Sequence, residues 1–167
     1  MQNLETKRMK LRPLLKSDAD NLLKIFNDPI AMEFYHGTKS REDAIEWIEK
    51  SQKQYKKQQI GFLACELKET CEFVGICGLL PQLSINERDE IEVGYLFVRD
   101  FWGCGLATEA ARACMDYGFQ KKGFKRIISL IDPNNHKSIR MAERNGLKNE
   151  GKTLYKGRKA LLCVLAI

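Results

Sequence analysis

The sequence of 167 residues contains no long hydrophobic run. No stretch approaches the length needed to span a bilayer, and the N-terminal letters M-Q-N-L-E-T-K-R include no apolar signal segment. There is also no low-complexity tract and no internal repeat. With 44% hydrophobic and 30% charged residues, the composition is that of a globular protein, and the length fits one domain over residues 1–167. We expect a single cytoplasmic domain that is not attached to a membrane.

The six cysteines include no C-x-x-C pair, so the usual spacing of a metal site is absent and no metal is expected. Four of them lie in apolar runs and are expected to be buried: Cys65, Cys77, Cys114 and Cys163. An unpaired set of this kind fits a reducing compartment.

The net charge is +6, from 28 basic and 22 acidic residues, which favours an anionic ligand or partner. The sequence has no zinc-finger spacing and no aromatic-rich RNA-binding motif, so we do not expect nucleic acid to be that partner. Charge alone does not identify the ligand.

Hydrophobic periodicity predicts an α/β (α+β) fold with about seven strands and about four helices. The predicted strands cover residues 7–14, 60–67, 73–80, 91–98, 126–131, 148–154 and 158–167. The predicted helices run from a cap at 17–20 to 28, from 40 to about 57, from 103 to about 122, and over a short segment ending at Gly146. The sheet should be mixed and mostly antiparallel. Its central parallel crossover should join the strands on either side of the third helix.

The most informative segment is residues 96–111, written L-F-V-R-D-F-W-G-C-G-L-A-T-E-A-A. Two glycines between a strand and a helix let the backbone approach a ligand closely. The first amides of a helix have no internal partner and suit a phosphate. The segment lacks the Lys and Ser/Thr of a Walker loop and the third glycine of a dinucleotide fingerprint. It is interpreted as a pyrophosphate-binding turn of another class.

The letters V-R-D-F-W-G-C-G-L-A-T-E-A, followed by D-P-N-N-H-K-S-I-R-M-A-E-R-N-G-L-K-N-E-G, resemble the GNAT superfamily of acetyl-coenzyme A-dependent N-acetyltransferases. The W-G-x-G-x-A-T-E-A form is similar to the branch that contains the ribosomal-protein N-terminal acetyltransferases (the Rim type). The resemblance covers essentially the whole chain. It implies acetyl-coenzyme A as a co-substrate, with an amine as the acceptor.

The resemblance also implies which residues hold the cofactor. Trp102 stands where the family loop begins with Arg or Gln, a loss that matters little if the main chain binds the pyrophosphate. The expected cofactor-binding residues are Phe97, Val98, Gly103, Cys104, Gly105, Leu106, Ala107, Thr108, Asn135 and Ser138. Asn135 equally suits a helix N-cap. Lys137, Arg140 and Arg144 share a helical face and are candidates for the 3′-phosphate, or form an ordinary solvated face.

Amine acetylation needs a base, since most amines carry a proton near neutral pH. Glu92, inside an apolar strand, is the preferred candidate, and a structural carboxylate is the alternative. Weaker candidates are Glu33, His36 and Glu90. Many superfamily members carry a tyrosine acid where this chain has Ala142, so Ser138 or Tyr155 would have to supply the proton, although Ser138 equally suits a helix-turn cap. Cys104 lies beside the expected cofactor and is predicted to form a minor mixed disulfide with coenzyme A.

The acceptor is the least determined part of the function. A peptide or protein N-terminal α-amine is the leading hypothesis. The alternatives are a small amine such as a polyamine or amino sugar, and a non-catalytic coenzyme A-binding module. Residues 27–40, with the letters F-Y-H-G at 34–37, and the closing hairpin near Lys156 should determine specificity. The oligomeric state is expected to be a monomer or a homodimer.

Overall fold

One mixed sheet organises the computed structural model, which describes residues 3–167. Its strands are β1 (Leu4–Glu5), β2 (Met9–Pro13), β3 (Phe62–Leu67), β4 (Phe73–Ile85), β5 (Arg88–Phe97), β6 (Arg126–Ile131), β7 (Lys148–Tyr155) and β8 (Arg158–Ala166). They lie in the order β1-β2-β3-β4-β5-β6-β8-β7. Only β5 and β6 are parallel neighbours, and the other pairs are antiparallel. The predicted fold class and the central parallel crossover are confirmed, with a two-residue eighth strand, β1, added at one edge.

Two helices cover each face of the sheet. They are α1 (Ala19–Phe26), α2 (Arg41–Gln58), α3 (Leu106–Gln120) and α4 (His136–Arg144). Apolar residues of α1 and α2 pack with Leu96 in one buried cluster, whereas those of α3 and α4 pack with Val93 and Phe97 in another. The side chains of β5 therefore alternate between the two faces of the sheet. This alternation places Glu92 and Leu96 on one face and Val93 and Phe97 on the other.

The β4–β5 hairpin is longer than predicted. The sequence pattern ends β4 at Leu80 and begins β5 at Ile91, with a charged loop between them. In the structure the strands continue to a tight turn at Asn86 and Glu87, where φ is 46° and 65°. Positive φ at both central residues matches the twist of a two-residue hairpin, so Arg88 and Glu90 remain in the ladder, paired with Ile85 and Gln82. The extension is important because it places Gln82 on a strand.

Arg12 ties the N-terminal strand to its neighbours. Its guanidinium contacts both carboxylate oxygens of Asp18, at 2.8 and 2.9 Å, and Glu66 at 2.6 Å. Asp18 also accepts a hydrogen bond from the Leu15 amide. The pKa of Asp18 lies below its ordinary value because these hydrogen bonds outweigh the opposing effect of burial. Asp18 therefore anchors the start of α1 to the sheet and makes no side-chain cap on that helix.

The third helix begins three residues later than predicted, at Leu106 rather than Gly103. Gly103 and Gly105 have φ values of 80° and 82°, a left-handed conformation that an α-helix cannot continue. The glycine segment is thus a turn that delivers the chain to the helix. Within residues 3–167 no helix combines the length and the apolar character needed to cross a membrane.

The parallel pair separates almost as soon as it forms. Glu92 and Ile128 are the one matched pair of the β5–β6 ladder among the described residues. Beyond that point β5 continues to Phe97 on its pairing with β4 alone. The β5 edge that faces β6 therefore presents main-chain groups without a strand partner, next to the start of α4.

Candidate active site

Two cavities meet where β5 and β6 separate. The inner cavity, of about 290 Å³, lies between α2, the middle of β5, the end of β6 and the β7–β8 turn. The loop groove, of about 900 Å³, lies between the end of β5, the glycine turn with the start of α3, and the start of α4. Six residues line both: Phe34, Tyr35, Tyr95, Leu96, Asn135 and Ser138. Two molecules, one in each cavity, would therefore contact each other at the β5–β6 split, the point where these two strands separate.

The loop groove is lined by main chain from the glycine turn. Gly103, Gly105 and residues 106–108 line it, as does Phe97. The N-cap residue Gly105 has no side chain to cap the helix, and no described residue accepts a hydrogen bond from the amides of 106–108. Free amides at a helix N-terminus carry partial positive charge. The groove thus offers an anion several unpaired donors.

Two residues predicted for the cofactor lie outside the groove. The Val98 amide donates to the Val74 carbonyl at 2.9 Å, and its side chain packs with the α1–α2 cluster. The Cys104 thiol is 2.9 Å from the Phe101 carbonyl oxygen. Neither residue lines either cavity. The mixed disulfide between Cys104 and coenzyme A stays a prediction, and the thiol would have to turn toward the groove to form it.

Arg8 holds the turn from the opposite side, a role that the sequence pattern did not indicate. Its amide and its Nε both donate to the Glu109 carboxylate, each at 2.8 Å. Its Nη1 donates to the Cys104 carbonyl at 2.9 Å. One arginine therefore connects the glycine turn to the first turn of α3. Partial burial raises the pKa of Glu109, but hydrogen bonds from the Thr6 side chain and from Arg8 outweigh this effect and hold the pKa below its ordinary value.

Glu92 is the buried carboxylate of the inner cavity, with 8% of its surface exposed. Its Oε1 accepts a hydrogen bond from the Leu130 amide at 3.2 Å, and its Oε2 accepts one from the Gln82 side chain. Burial raises the pKa of Glu92 to about 7, although the bonds from Leu130 and Gln82 and the charge of Lys156 oppose the rise. No described Arg or Lys forms an ion pair with Glu92.

Gln82 continues the hydrogen-bond chain away from Glu92. Its side-chain oxygen accepts a hydrogen bond from the Tyr155 hydroxyl at 3.3 Å. Gln82 comes from the unpredicted extension of β4, and Tyr155 from the end of β7. Sequence reasoning listed Tyr155 without a position, and the structure places it in the wall of the inner cavity.

Tyr95 lies at the junction of the two cavities, where sequence reasoning gave it no role. Burial raises the pKa of Tyr95 well above its ordinary value, and the Ser138 hydroxyl beside it partly opposes this effect. Burial also raises the pKa of Tyr35 to about 12, with a further contribution from the negative charge of Glu92. Both phenols therefore stay protonated at neutral pH and remain hydrogen-bond donors.

Asn135 acts as the N-cap of α4. Its side-chain oxygen accepts a hydrogen bond from the Ser138 amide at 3.2 Å. Both residues line both cavities, so the capping role does not remove them from the site. Ser138 is buried, and its side chain lies beside Tyr95, whose pKa it lowers in opposition to burial.

The weaker acid–base candidates are dispersed. Glu90 is buried but paired with Arg126 at 3.0 Å, which gives it a structural role. Glu33 is exposed and lines the loop groove, and His36 is exposed at the inner cavity. The cysteines predicted to be buried are buried. Residues 3–167 contain no group of three or more His, Cys, Asp or Glu side chains placed to hold a metal ion.

Basic residues line the two cavities as separate sets. Lys137, Arg140 and Arg144 line the loop groove, and the Lys137 ammonium lies 4.5 Å from the centre of the Trp102 ring. A second set lines the inner cavity: Lys39, Lys50, Lys156, Arg158 and Lys159. No residue belongs to both sets.

Comparison with known proteins agrees with this geometry. The acetyltransferase (GNAT) domain model matches residues 8–148. The uncharacterized protein YkkB of Bacillus subtilis (strain 168) is 41% identical over 159 residues, which cover 95% of this chain and 91% of YkkB. Spermidine N(1)-acetyltransferase of Escherichia coli (strain K12) is 25% identical over 147 residues, covering 88% of this chain and 76% of that protein.

The solved structures include RimL, a ribosomal L7/L12 alpha-N-protein acetyltransferase, in complex with coenzyme A. It superimposes with a TM-score of 0.81 at 16% identity, covering 99% of this chain and 98% of RimL. A Rim-type enzyme is therefore a structural neighbour, as the resemblance predicted. The domain match over residues 8–148 shows that the chain belongs to the GNAT family of acetyl-coenzyme A-dependent acetyltransferases.

Proposed function

We propose that this acetyltransferase acetylates a primary amine, preferably the α-amine of a peptide or protein, by direct attack on acetyl-coenzyme A in a ternary complex. The meeting of the two cavities at the β5–β6 split is the observation that carries the proposal. Cofactor and acceptor could reach one point from two sides, each held mainly by the residues of its own cavity. Such positioning alone contributes a large part of the rate of a two-substrate reaction.

The loop groove fits the cofactor. Its unpartnered amides at 106–108 suit the pyrophosphate, and the free edge of β5 near Phe97 suits the amide groups of the pantetheine arm. Bound acetyl-coenzyme A supplies the thioester. The protein's contribution is to hold its carbonyl at the split, beside Tyr95 and Ser138.

Glu92 is proposed as the base. Its pKa of about 7 leaves a substantial fraction ionised at neutral pH, while its basicity exceeds that of an ordinary carboxylate. The amine proton passes to Glu92, directly or through water, and the neutral nitrogen attacks the thioester carbonyl. The C–N bond forms as the C–S bond breaks, and the nitrogen then loses its remaining extra proton, which replaces the one given to the departing thiolate.

Tyr95 and Ser138 are proposed to supply the proton for the departing thiolate. Both line both cavities, and the raised pKa of Tyr95 keeps its hydroxyl protonated. Ala142 occupies the helical position where many family members carry a tyrosine. Tyr95 would deliver an equivalent hydroxyl from the neighbouring strand.

Thiol release from acetyl-coenzyme A, measured against N-terminal peptides, spermidine and an aminoglycoside, tests the activity. Glu92→Gln should lower kcat by about 10²- to 10⁴-fold, the usual contribution of a general base. Glu87→Gln, which makes the same chemical change at the exposed turn of the β4–β5 hairpin, should leave kcat unchanged. Unaltered turnover in Glu92→Gln would remove Glu92 from the mechanism. Coenzyme A binding without acetylation of any amine would favour the non-catalytic module.

The pH dependence should follow Glu92. Because the ionised form accepts the proton, kcat should fall as the pH decreases through about 7. Gln82→Leu removes a hydrogen bond that lowers the pKa of Glu92, so the midpoint should move to higher pH. A pH profile of kcat for both proteins measures this change, and an identical midpoint would contradict the role of Gln82.

Acetylation of a polyamine is the second candidate, and its specific support is the similarity to the spermidine acetyltransferase. The thiol-release assay described above separates the two candidates directly, because it compares N-terminal peptides with spermidine.

A further inference from the structure

The wall of the inner cavity carries an excess of positive charge. Five Lys and Arg side chains line it, against the two carboxylates of Glu92 and Asp132. Asp132 already accepts a hydrogen bond from the Asn134 amide at 2.9 Å. Burial also keeps part of the Glu92 population neutral near pH 7. The cavity therefore presents a strongly cationic surface to whatever enters it.

These cations have no ion-pair partner among residues 3–167, although the Lys156 ammonium lies 5.1 Å from the centre of the Tyr155 ring. The ion pairs among residues 3–167 use none of the five, although several basic residues elsewhere are paired, among them Arg8, Arg12, Arg99 and Arg126. The pKa of His36 shows that at least three of these cations lie near one another. The positive charges of Arg158, Lys156 and Lys39, with Arg158 first, lower the pKa of His36.

The five cations come from opposite walls of the inner cavity. Lys39 and Lys50 lie just before and within α2, whereas Lys156, Arg158 and Lys159 lie in or just after the β7–β8 turn. Like charges on the two sides of the cavity repel each other, and the carboxylates of Glu92 and Asp132 offset only part of the five positive charges. A ligand between the walls could supply the missing negative charge.

The cofactor is not that ligand. None of the five lines the loop groove, where Lys137, Arg140 and Arg144 are available to the phosphates. The cationic excess lies on the acceptor side of the split, beside Glu92.

We infer that the acceptor bears a carboxylate near its reacting amine, as in an acidic amino acid or a peptide with acidic residues next to its N-terminus. This rests on the proposed function, because it assigns the substrate class of the same site. A polyamine brings several positive charges into the cationic cavity and is disfavoured. Charge that excludes the wrong substrate is as effective for specificity as charge that attracts the right one.

A matched peptide series tests the inference. Three short peptides with blocked C-termini share an N-terminal alanine and differ only in the next two residues, which are aspartate, asparagine or lysine. Free aspartate and spermidine complete the series, so that a peptide is distinguished from a free amino acid. The aspartate peptide should have a kcat/KM about tenfold above that of the asparagine peptide, which should in turn exceed the lysine peptide. Its advantage should shrink as salt screens the charges.

Variants place the effect at the cavity. Arg158→Gln and Lys39→Gln should each raise KM for the aspartate peptide by about threefold to fivefold, the upper range for partly exposed ion pairs, with the asparagine peptide unaffected. Lys125→Gln removes the same charge from an exposed site outside both cavities and should change neither KM.

The possible failures are distinguishable. Equal kcat/KM for the three peptides, or spermidine as the best acceptor, would overturn the acidic acceptor while leaving the acetyltransferase mechanism intact. Failure to acetylate any member of the series would instead contradict the proposed function.

Discussion

The loop groove and the inner cavity are built in different ways. One side of the groove is formed by a contiguous segment, the glycine turn and the first residues of α3, that presents main-chain groups, and the basic side chains of the groove are exposed. The cavity is formed by side chains from several distant elements, and its central carboxylate is buried. A main-chain site tolerates side-chain changes such as Trp102 and Cys104 at family loop positions. The binding of a shared cofactor can thus be preserved while the acceptor site varies.

The largest effect is expected from removing the buried charge of the cavity. The folded-state pKa of Glu92 is about 7, against an ordinary value of 4.5. The folded state therefore binds the proton more tightly than the unfolded state. The stability that depends on protonated Glu92 is complete below about pH 4.5 and is lost as the pH rises through about 7, a difference of roughly 3 kcal/mol.

Glu92→Gln should therefore be more stable than the parent protein at pH 8, by about 5–10 °C in Tm, while losing activity. Thermal unfolding at several pH values measures the difference, which should grow between pH 4.5 and 7 and then level off. Glu87→Gln at the exposed turn serves as the control and should show no such growth. A Tm difference independent of pH would mean that folding leaves the pKa of Glu92 at its ordinary value.

The next largest effect tests whether cofactor binding in the groove depends on the side chain of Arg8. Arg8→Leu removes the contacts to Glu109 and to the Cys104 carbonyl that hold the glycine turn. KM for acetyl-coenzyme A should rise about tenfold, which corresponds to ~1.4 kcal/mol, with KM for the amine unchanged. Arg88→Leu, at an exposed site outside both cavities, is the control. Equal increases in both KM values would show that Arg8 supports the fold in general rather than the turn.

A smaller effect should come from the turn backbone itself. Gly105→Ala places a Cβ in the left-handed region at φ 82°, 3.4 Å from Arg8 Nη2. Gly123→Ala introduces the same kind of strain at φ 69°, with no atom within 4 Å. Each should cost roughly 1 kcal/mol of stability, measured by denaturant unfolding. Only Gly105→Ala should also raise KM for acetyl-coenzyme A, and unchanged cofactor kinetics in both would separate the turn from cofactor binding.

The same contrast explains what the sequence could predict. The groove was predictable because its residues are contiguous and their chemistry is that of the backbone: two glycines, a helix start and an Asn cap at Asn135. The error at the start of α3 has the same origin. A glycine-rich turn and the first helical turn share composition, and only the positive φ of Gly103 and Gly105 separates them.

The cavity was predictable only in part, since its contacts join distant segments. Glu92 could be identified from its place in an apolar strand. Its partner Gln82 could not, because the β4 extension depends on a turn at Asn86 and Glu87 that lacks the usual glycine. Tyr95 and Ser138 lie close in space but 43 positions apart, and nothing local to either indicates the other.

The smallest effect concerns the exposed cations of the groove. The Lys137 ammonium is held over the Trp102 ring, so a residue atypical of the family loop positions a charge at the rim. If Lys137 and Arg140 hold the 3′-phosphate of the cofactor, replacing both with Gln should raise KM for acetyl-coenzyme A about threefold, because exposed ion pairs contribute little. The increase should vanish when acetyl-3′-dephospho-coenzyme A is the donor, because this donor has no 3′-phosphate for the two cations of the parent protein to bind. An equal increase with both donors would instead mean that these cations act on the pyrophosphate or through the general field. The groove would then bind the cofactor through charged side chains near the glycine turn as well as through main-chain amides, and the contrast with the side-chain cavity would be weaker.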